Sequence, residues 1–362
     1  MPSPKPECAG PTAGLPRRTL LAGALLARVA AAAPLRLRLG VDSYTLRAWR
    51  WDAIQLLDYA ARIGLEAVQF SELPHVARPM EKATDESFLK QVRAHAERLG
   101  IRLEMGTWGV CPTSRAFQPK YGAAHEQLGL AIHVASLLGA ESVRCVLGNQ
   151  IERTANGPIE RHIETLIGVC RAVRDQALRA RVKIAIENHK DLRAGELRYL
   201  IEQAGPDYVG VCLDTGNPIP VIEDPLQTVE TLAPYAVTSH FRDTALWKDS
   251  RGAAFQWVAM GEGNVGIDRV VGEFARRCPE VSLNLEIITG RSPEVLPCLE
   301  PDFWKAFEKV KASDLARFLA LAERGRPADS GPSGISEAER QRLDLERSVR
   351  YCREKLGVRW RS

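Results

Sequence analysis

The chain lacks the marks of several large classes of protein. Its eight cysteines are scattered without a Cys-x-x-Cys pair, which argues against a disulfide scaffold and against a zinc knuckle. The 49 basic and 45 acidic residues nearly cancel to a net charge of +4, so the sequence carries no electrostatic footprint for nucleic acid. With 362 residues, 45% of them hydrophobic and 26% charged, the composition is that of an ordinary soluble protein with a large core.

The N-terminal segment resembles a twin-arginine export signal. In "LPRRTLLAGALLARVAAAAP", Arg17 and Arg18 precede an apolar stretch from Thr19 that ends in small residues. Such a segment predicts a periplasmic or exported protein. The stretch is too short and too rich in alanine to span a membrane, so no stable membrane insertion is expected, and Arg28 interrupts it. A disordered extension on a cytoplasmic protein is the alternative, and residues 1–34 are set apart from the fold in either case.

From residue 35 to residue 300, short apolar strands alternate with amphipathic helices. The predicted strands cover 35–44, 65–72, 101–108, 141–148, 182–188, 209–217, 236–243 and 281–288. Eight such units over about 250 residues have the length and rhythm of an α/β protein of the (β/α)8 TIM barrel class. A doubly wound open sheet is the competing fold, but the turn after its first strand usually carries Gly-x-Gly-x-x-Gly, which is lacking here.

The chain changes character after residue 300. Residues 301–362 contain two amphipathic helical stretches joined by the polar linker "RPADSGPSG". The second stretch has oppositely charged residues four positions apart, as in a solvated helix. We expect a helical C-terminal extension that packs on the barrel or on a second subunit, and a homo-oligomer is left open.

Four successive strands of the predicted barrel each end in a residue type that binds metals. They are Glu187 on the fifth strand, Asp214 on the sixth, His240 on the seventh and Glu286 on the eighth. The active site of a (β/α)8 barrel forms at these carboxyl ends. Three carboxylates and one imidazole suit one divalent ion, Mn²⁺, Mg²⁺ or Co²⁺, with Zn²⁺ also possible.

Each of these residues also has a structural reading. Glu187 could pair with Lys190 or Arg242 in a salt bridge. His240 could be a hydrogen-bonded core residue, and Asp214 before Thr-Gly could cap a turn. Because the four residue types fall on consecutive strands, we favour the metal site.

The segments "IAIENH", "VGVCLDTGN", "SHFRD", "MGEGNV" and "LNLEI" resemble the xylose isomerase-like TIM-barrel superfamily over roughly residues 35–300. The resemblance implies that Glu187, Asp214, His240 and Glu286 bind the metal. It also implies that Glu187 and Glu286 form the acid/base pair. The chain departs from related ketose 3-epimerases at Asn217, where many of them have a histidine that helps to bind substrate. This departure leaves room for a lyase on the same site.

Further side chains near the strand ends are candidates for binding substrate. His189 follows Glu187 closely, and Arg242 and Lys190 could bind an acidic group of a substrate. Trp108 ends the third strand and could stack on a sugar or pack at the barrel rim. The set is completed by Glu72 and Asn217, which could reach hydroxyl groups.

The predicted chemistry is proton transfer next to a carbonyl group of a small carbohydrate. A divalent ion stabilises the enediolate that forms when the proton leaves. The leading hypothesis is a sugar or keto-sugar isomerase or epimerase. A dehydratase or decarboxylase acting on a keto-sugar acid would use the same anion. An apurinic endonuclease shares the fold but needs several more histidine ligands, and a non-catalytic sugar binder would not need two glutamates.

Overall fold

The computed structural model describes residues 35–329 and 334–359, so the predicted export signal lies outside the described residues. The strands are β1 (Leu39–Asp42), β2 (Ala67–Phe70), β3 (Arg102–Gly109), β4 (Ser142–Val146), β5 (Lys183–Glu187), β6 (Val209–Asp214), β7 (Ala236–His240), β8 (Asp243–Asp249), β9 (Gly252–Val258), β10 (Leu283–Leu285) and β11 (Glu294–Leu296). Strands β1 to β7 and β10 form one eight-stranded parallel sheet with β10 beside β1. All eight overlap the predicted strands, so the TIM barrel is confirmed.

The barrel closes between β7 and β10. Just beyond the end of β7, the main-chain N–H of Phe241 donates to the carbonyl of Asn284 at 2.7 Å, and the N–H of Glu286 donates to the carbonyl of Phe241 at 3.0 Å. This single parallel bridge completes a nearly closed barrel. It brings His240 and Glu286 to adjacent positions on the rim.

Helices surround the barrel. They are α1 (Ala53–Arg62), α2 (Leu73–Val76), α3 (Met80–Ala83), α4 (Glu86–Leu99), α5 (Ala124–Leu138), α6 (Ile159–Ala172), α7 (Arg174–Ala180), α8 (Ala194–Ala204), α9 (Pro225–Leu232), α10 (Ile267–Arg277), α11 (Ala312–Glu323) and α12 (Glu337–Glu354). Gly64 and Gly100 have φ values of 76° and 70°. This left-handed conformation is favourable for glycine and ends α1 and α4. Among the described helices, none is both long and apolar enough to cross a membrane.

The strands alternate between the barrel interior and the layer that faces the helices. On β5, Ile184 and Ile186 belong to the large apolar core, whereas Glu187 comes next and is fully buried. Because successive side chains of a strand point to opposite faces, Glu187 shares its face with the small Ala185. Ile184 and Ile186 therefore pack toward the helices, and the Glu187 carboxylate points into the barrel mouth.

A small antiparallel sheet, absent from the sequence prediction, follows the seventh barrel strand. It has the order β11-β9-β8, with β8 and β9 forming a hairpin. The predicted strand 236–243 divides in two, because β7 ends at His240 and β8 begins at Asp243. The hairpin carries Trp257 to the barrel mouth, where its ring lies 4.4 Å from the guanidinium of Arg242.

The C-terminal helices pack on the rest of the described chain. Helix α11 packs on β8, where the carbonyl of Leu246 accepts a bond of 3.0 Å from Asn264, which also binds the carbonyl of Leu321 at 2.9 Å. Helix α12 lies against the 3-10 segment Ser43–Trp49, and Gln341 accepts from the N–H of Ala48 at 3.0 Å. Both helices are therefore anchored by hydrogen bonds to the chain that forms the barrel and its hairpin.

Candidate functional site

The four predicted metal ligands converge at the carboxyl ends of the barrel strands. Glu187, Asp214 and His240 are the last residues of β5, β6 and β7, and Glu286 directly follows β10. Their potential ligand atoms lie within 4.8 Å of one another, and all four side chains are buried. Four donors gathered from four strands form one compact group.

One ring nitrogen of His240 faces the carboxylates. Its Nδ1 lies 3.4 Å from Oε1 of Glu187 and 3.4 Å from Oε2 of Glu286, and it has no hydrogen-bond partner. The other nitrogen, Nε2, is hydrogen-bonded to Oε1 of Gln69. Because an amide oxygen only accepts, Nε2 carries a proton, and Nδ1 is the nitrogen that faces the carboxylate group. Burial acts to lower the pKa of His240, but the acidic groups around the ring outweigh it and hold the pKa well above its usual value. Nδ1 would offer its lone pair once a metal ion replaced its proton.

Gln69 is itself held by a buried polar cluster below the site. Its amide nitrogen donates to Oγ1 of Thr238 at 2.8 Å and to Glu104 at 3.3 Å. Asn284 donates to the same Glu104 carboxylate at 2.7 Å. The cluster fixes the orientation of the Gln69 amide, and through it the tautomer of His240.

Asp214 is oriented by main-chain contacts. The side chain of Asn188 accepts from the N–H of Asp214 at 2.9 Å and donates to its carbonyl at 2.9 Å. Oδ1 of Asp214 accepts from the N–H groups of Gly216 and Asn217, both at 2.7 Å. One carboxylate oxygen is thus fixed by the loop, and Oδ2 is the oxygen that lies 3.9 Å from Nδ1 of His240.

Two buried arginines contact the carboxylates. Arg144, on β4, lies 2.5 Å from Oε2 of Glu187. Arg242 contacts Asp214 and lies 2.5 Å from Oε2 of Glu286. The salt-bridge partner of Glu187 is therefore Arg144, and the alternative pairing with Lys190 or Arg242 is wrong, since Lys190 instead binds Glu294 at 2.8 Å.

The charges and the unpaired atoms of the group fit a divalent cation. Asp42 lies behind the histidine, with its Oδ2 atom 3.6 Å from Nε2 of His240. When ionised, Asp42 and the three ligand carboxylates carry four negative charges, more than the two arginines and a protonated His240 together balance. Nδ1 of His240 is buried without a hydrogen-bond partner, whereas Oε2 of Glu286 is paired with Arg242. Unpaired buried charge is costly, and a hard cation bound by oxygen and nitrogen donors would offset it.

A second group of potential ligands consists of Glu187, Cys212 and His240. Burial raises the pKa of the Cys212 thiol to about 12, so the sulfur stays protonated near neutral pH. Since a thiolate is the form that binds metals, the set containing Asp214 and Glu286 is the better candidate.

The two glutamates differ electrostatically. Burial raises the pKa of Glu286 to about 7, although Arg242 and His240 oppose this shift. Burial acts in the same direction on Glu187, but Arg144 and His240 outweigh it and hold its pKa well below the usual value. Two identical carboxyl groups therefore have opposite shifts within one site.

A cavity of about 270 Å³ opens onto this group and is lined by Glu286. Five of the predicted substrate-binding residues line the same cavity: Glu72, Trp108, His189, Lys190 and Arg242. The sixth, Asn217, is buried and donates to Oε1 of Glu187 at 3.0 Å. Its side chain thus supports a candidate metal ligand, in addition to the main-chain bond that it makes to Asp214.

His189 is held as a neutral hydrogen-bonding group. Its Nδ1 lies 2.8 Å from the carbonyl of Gly148 and must donate, because a carbonyl accepts. Burial lowers the pKa of His189 to about 4, which keeps the ring neutral near neutral pH. Nε2 is then an acceptor, and the edge of the ring packs on Trp108 with the centroids 5.4 Å apart.

The sequence prediction missed several residues that build the site. Arg144 and Gln69 support the ligands, whereas Tyr44, Trp257 and Arg291 line the cavity. A signal for the first two exists in the sequence, since each is a lone polar residue inside an apolar strand, in "SVRCV" and "AVQF". A polar side chain at such a position must find a buried partner.

Comparison with known proteins finds a distant relative and several solved structures with the same fold. It is 20% identical over 215 residues to 3-oxo-isoapionate decarboxylase of Pectobacterium atrosepticum, covering 59% of this chain and 69% of that one. A crystal structure of D-psicose 3-epimerase has a TM-score of 0.60 at 13% identity, covering 89% of this chain and 100% of the other.

A further crystal structure is of a xylose isomerase-like TIM barrel protein from Mycobacterium smegmatis in complex with magnesium. It has a TM-score of 0.53 at 12% identity, and the match covers 79% of this chain and 96% of the other. At these identities, the structural matches establish the fold. The family model of the xylose isomerase-like TIM barrel matches residues 57–304, more than half of the chain. The chain therefore belongs to the xylose isomerase-like TIM barrel family.

Proposed function

We propose that the protein is a divalent-metal-dependent isomerase or epimerase that acts on a sugar or keto-sugar through an enediolate. The observation that carries this proposal is the placement of two carboxylates around one imidazole. Glu187 and Glu286 each lie 3.4 Å from Nδ1 of His240, and they come from β5 and from the end of β10. Both also lie at the cavity end of the barrel.

Two glutamates on different strands suit a two-base proton transfer. One carboxylate removes the proton next to the carbonyl group, and the other returns a proton to the enediolate. Epimerisation requires the return on the opposite face, and isomerisation requires it on the neighbouring carbon. The D-psicose 3-epimerase with a similar fold supports chemistry of this class.

Glu187, Asp214, His240 and Glu286 would hold the metal ion. When bound, the ion supplies Lewis acidity that stabilises negative charge on the substrate oxygens. The donor set favours Mn²⁺, Mg²⁺ or Co²⁺, with Zn²⁺ possible. The magnesium complex of the Mycobacterium smegmatis protein supports a hard cation.

The surrounding side chains bind and orient the substrate. His189 offers Nε2 as an acceptor for a hydroxyl group, and Trp108 offers an apolar face for a sugar ring. Arg144 and Asn217 bind Glu187 from two sides and limit its movement. These contacts keep the proton-transferring groups in place without reacting themselves.

The second candidate function is a lyase, a dehydratase or decarboxylase that acts on a keto-sugar acid. The cavity is lined by four cationic side chains: Arg144, Lys190, Arg242 and Arg291. Unlike the other three, Arg291 has no salt bridge within the described residues, and it donates to the hydroxyl of Tyr44 at 3.1 Å. A substrate carboxylate would be attracted to such a lining. The related decarboxylase supports this reading.

Solvent exchange tests both candidates. Protein stripped with EDTA and reloaded with Mn²⁺, Mg²⁺, Co²⁺ or Zn²⁺ is incubated in D₂O with ketohexoses and with keto-sugar acids. We expect metal-dependent deuterium incorporation, read by NMR. Deuterium exchange that leaves the product with the same number of carbon and oxygen atoms as the substrate supports the isomerase or epimerase. Release of CO₂ or water from the substrate supports the lyase. No exchange and no turnover with any of these compounds would contradict both candidates.

The variants Glu187→Gln and Glu286→Gln test the proton-transfer pair. Glutamine keeps one ligand oxygen but is a poor base, so each variant should retain metal and lose turnover by roughly 10²–10⁴-fold. Glu262→Gln is the control, because Glu262 pairs with Arg347 on the surface. If Glu286→Gln keeps both metal and wild-type exchange, Glu286 is only a ligand.

A further inference from the structure

A second cavity adjoins the cation-lined one. It has a volume of about 330 Å³ and lies over the ends of β2 and β3. Glu72 and Trp108 line both cavities. The two cavities therefore meet at these two side chains, and we term the second the rim groove.

The rim groove concentrates exposed apolar surface. Of the eight large hydrophobic side chains that are exposed within the described residues, three line it: Met80, Tyr121 and Leu130, with exposures of 37%, 57% and 40%. Leu73 and Pro74 extend the same wall. Exposed apolar side chains that cluster beside a polar cavity mark a binding surface.

Two polar side chains of the rim groove are bound within the protein. Glu126 accepts from the N–H of Ala123 at 2.7 Å. Gln127 donates to the carbonyls of Gln118 and Gly122 at 2.9 and 2.8 Å. Glu126 and Gln127 therefore offer little to a sugar, and most of the remaining lining residues are apolar, so the groove suits an apolar ligand.

The two cavities thus differ in chemistry although they share a wall. The first offers Arg242, Lys190 and Glu286, and the second offers aromatic and aliphatic carbon. We propose that the substrate has two parts, a polyhydroxylated carbonyl head and a flat apolar group, and that the rim groove binds the apolar group. This inference rests on the proposed function, because it deepens the description of the substrate of the same site.

The size of the rim groove agrees with a ring system. A closed apolar cavity of about 150 Å³ holds one benzene molecule, so the rim groove has space for a fused pair of rings. Burying such a group should strengthen binding by about 10- to 100-fold over a methyl group, given the usual value of buried apolar area.

Calorimetry with the full-length, Mn²⁺-loaded protein tests the inference. The probes are the 3-keto derivatives of 2-naphthyl β-D-glucopyranoside and methyl β-D-glucopyranoside, which carry the carbonyl group of the proposed head, and free 2-naphthol. We expect the naphthyl glucoside to bind at least 10-fold more tightly than the methyl glucoside. The variants Tyr121→Ser and Leu130→Gln should remove most of this difference and leave binding of the methyl glucoside unchanged. Both residues are exposed, so the fold should tolerate the changes.

Leu178→Gln is the matched control, since Leu178 is also 40% exposed but does not line the rim groove. It should keep the preference for the naphthyl compound. A preference that persists in both groove variants, or that is absent from the wild type, would overturn the inference. A wild-type dimer that Leu130→Gln converts to a monomer, without any naphthyl preference, would also overturn it by assigning the groove to a second copy of the chain.

Free 2-naphthol separates this inference from the proposed function. If neither glucoside binds but 2-naphthol binds in a manner that Tyr121→Ser abolishes, the apolar subsite stands and the sugar head is wrong. The opposite outcome is metal-dependent exchange with free sugars, together with groove variants that bind 2-naphthol and the naphthyl glucoside as tightly as the wild type does. In that case the proposed function stands and the apolar subsite is wrong.

Discussion

At the scale of single residues, the candidate metal centre depends on a side chain that is not itself a ligand. Oε1 of Gln69 accepts a hydrogen bond from the N–H at Nε2 of His240 and so holds the proton on the nitrogen that points away from the carboxylates. A histidine protonated only at Nδ1 would direct an N–H at Glu187 and Glu286 and could not donate a lone pair there. We therefore expect the Gln69 amide to affect metal affinity although it is not a ligand.

We predict that Gln69→Leu lowers metal affinity by about 10- to 100-fold, the usual effect of losing such a supporting contact. Leucine is close in size but cannot accept a hydrogen bond, so the ring loses its orientation. Titration of EDTA-stripped protein with Mn²⁺, followed by electron paramagnetic resonance, measures the affinity.

Ser239→Ala serves as the control for this variant. Ser239 lies on the same strand as His240, but its hydroxyl donates to the carbonyl of Ser282 at 2.6 Å. The control should lose stability without losing affinity. Wild-type affinity in Gln69→Leu would show that the carboxylates alone orient the metal.

Residue types at strand ends were predictable from the sequence, but their partners were not. The alternation of β5 indicates that Glu187 points into the barrel. That Arg144 meets it depends on the register of β4 with β5, in which Arg144 lies opposite Ala185. A one-residue slip would direct Arg144 toward the helices instead. No local pattern in the sequence specifies that register.

At the scale of elements, the hairpin β8–β9, which the sequence prediction missed, packs against helix α11, which lies in a predicted helical stretch. The segments "DTALWKD" and "GAAFQWV" are short and follow β7 after only two residues. The prediction therefore merged the start of the hairpin with a barrel strand. What separates them is closure of the barrel at Phe241, a tertiary contact that no local pattern records.

The chain lies close to this hairpin at Gly325, two residues after the end of helix α11. A Cβ atom there would lie 1.7 Å from the carbonyl oxygen of Leu246 and 2.7 Å from the amide of Asn264. We predict that Gly325→Ala lowers the free energy of unfolding by roughly 1–3 kcal/mol, because the end of the helix must move away from β8. Urea unfolding measures the change.

Gly168→Ala is the opposite case in the same chain. A Cβ atom at Gly168, inside α6, meets nothing within 4 Å. Alanine is the better helix former, so this variant should gain roughly 0.5–1 kcal/mol. Equal stabilities for the two variants would mean that α11 does not rest on β8 as described.

At the scale of the whole molecule, a cation bound by four strands should stabilise the fold. We predict that free Mn²⁺ at 100 times its Kd raises the free energy of unfolding by about 2.7 kcal/mol. Asp214→Asn should remove most of this gain, although asparagine can still accept from the N–H groups of Gly216 and Asn217. Thermal unfolding with and without EDTA provides the measurement, and a gain that Asp214→Asn leaves intact would contradict the ligand set.

Export of the protein is a separate proposal, based on Arg17 and Arg18 ahead of an apolar stretch. A fusion of residues 1–34 to a reporter that is active only outside the cytoplasm should depend on both arginines. We expect Arg17→Lys combined with Arg18→Lys to abolish the signal. Arg28→Lys in the same fusion is the matched control and should leave export unchanged, because Arg28 lies outside the Arg17-Arg18 pair.

The narrow junction between β7 and β10 has a consequence for how the ion is acquired. His240 and Glu286 lie on either side of it, and two main-chain hydrogen bonds hold it closed. An ion bound between these side chains would link the two strands, so binding of the ion would favour closure of the barrel. Asp214 and His240 are fully buried, so we expect a bound ion to exchange slowly. The ion acquired would then depend on the compartment in which the chain folds, and less on the order of affinities among divalent metals.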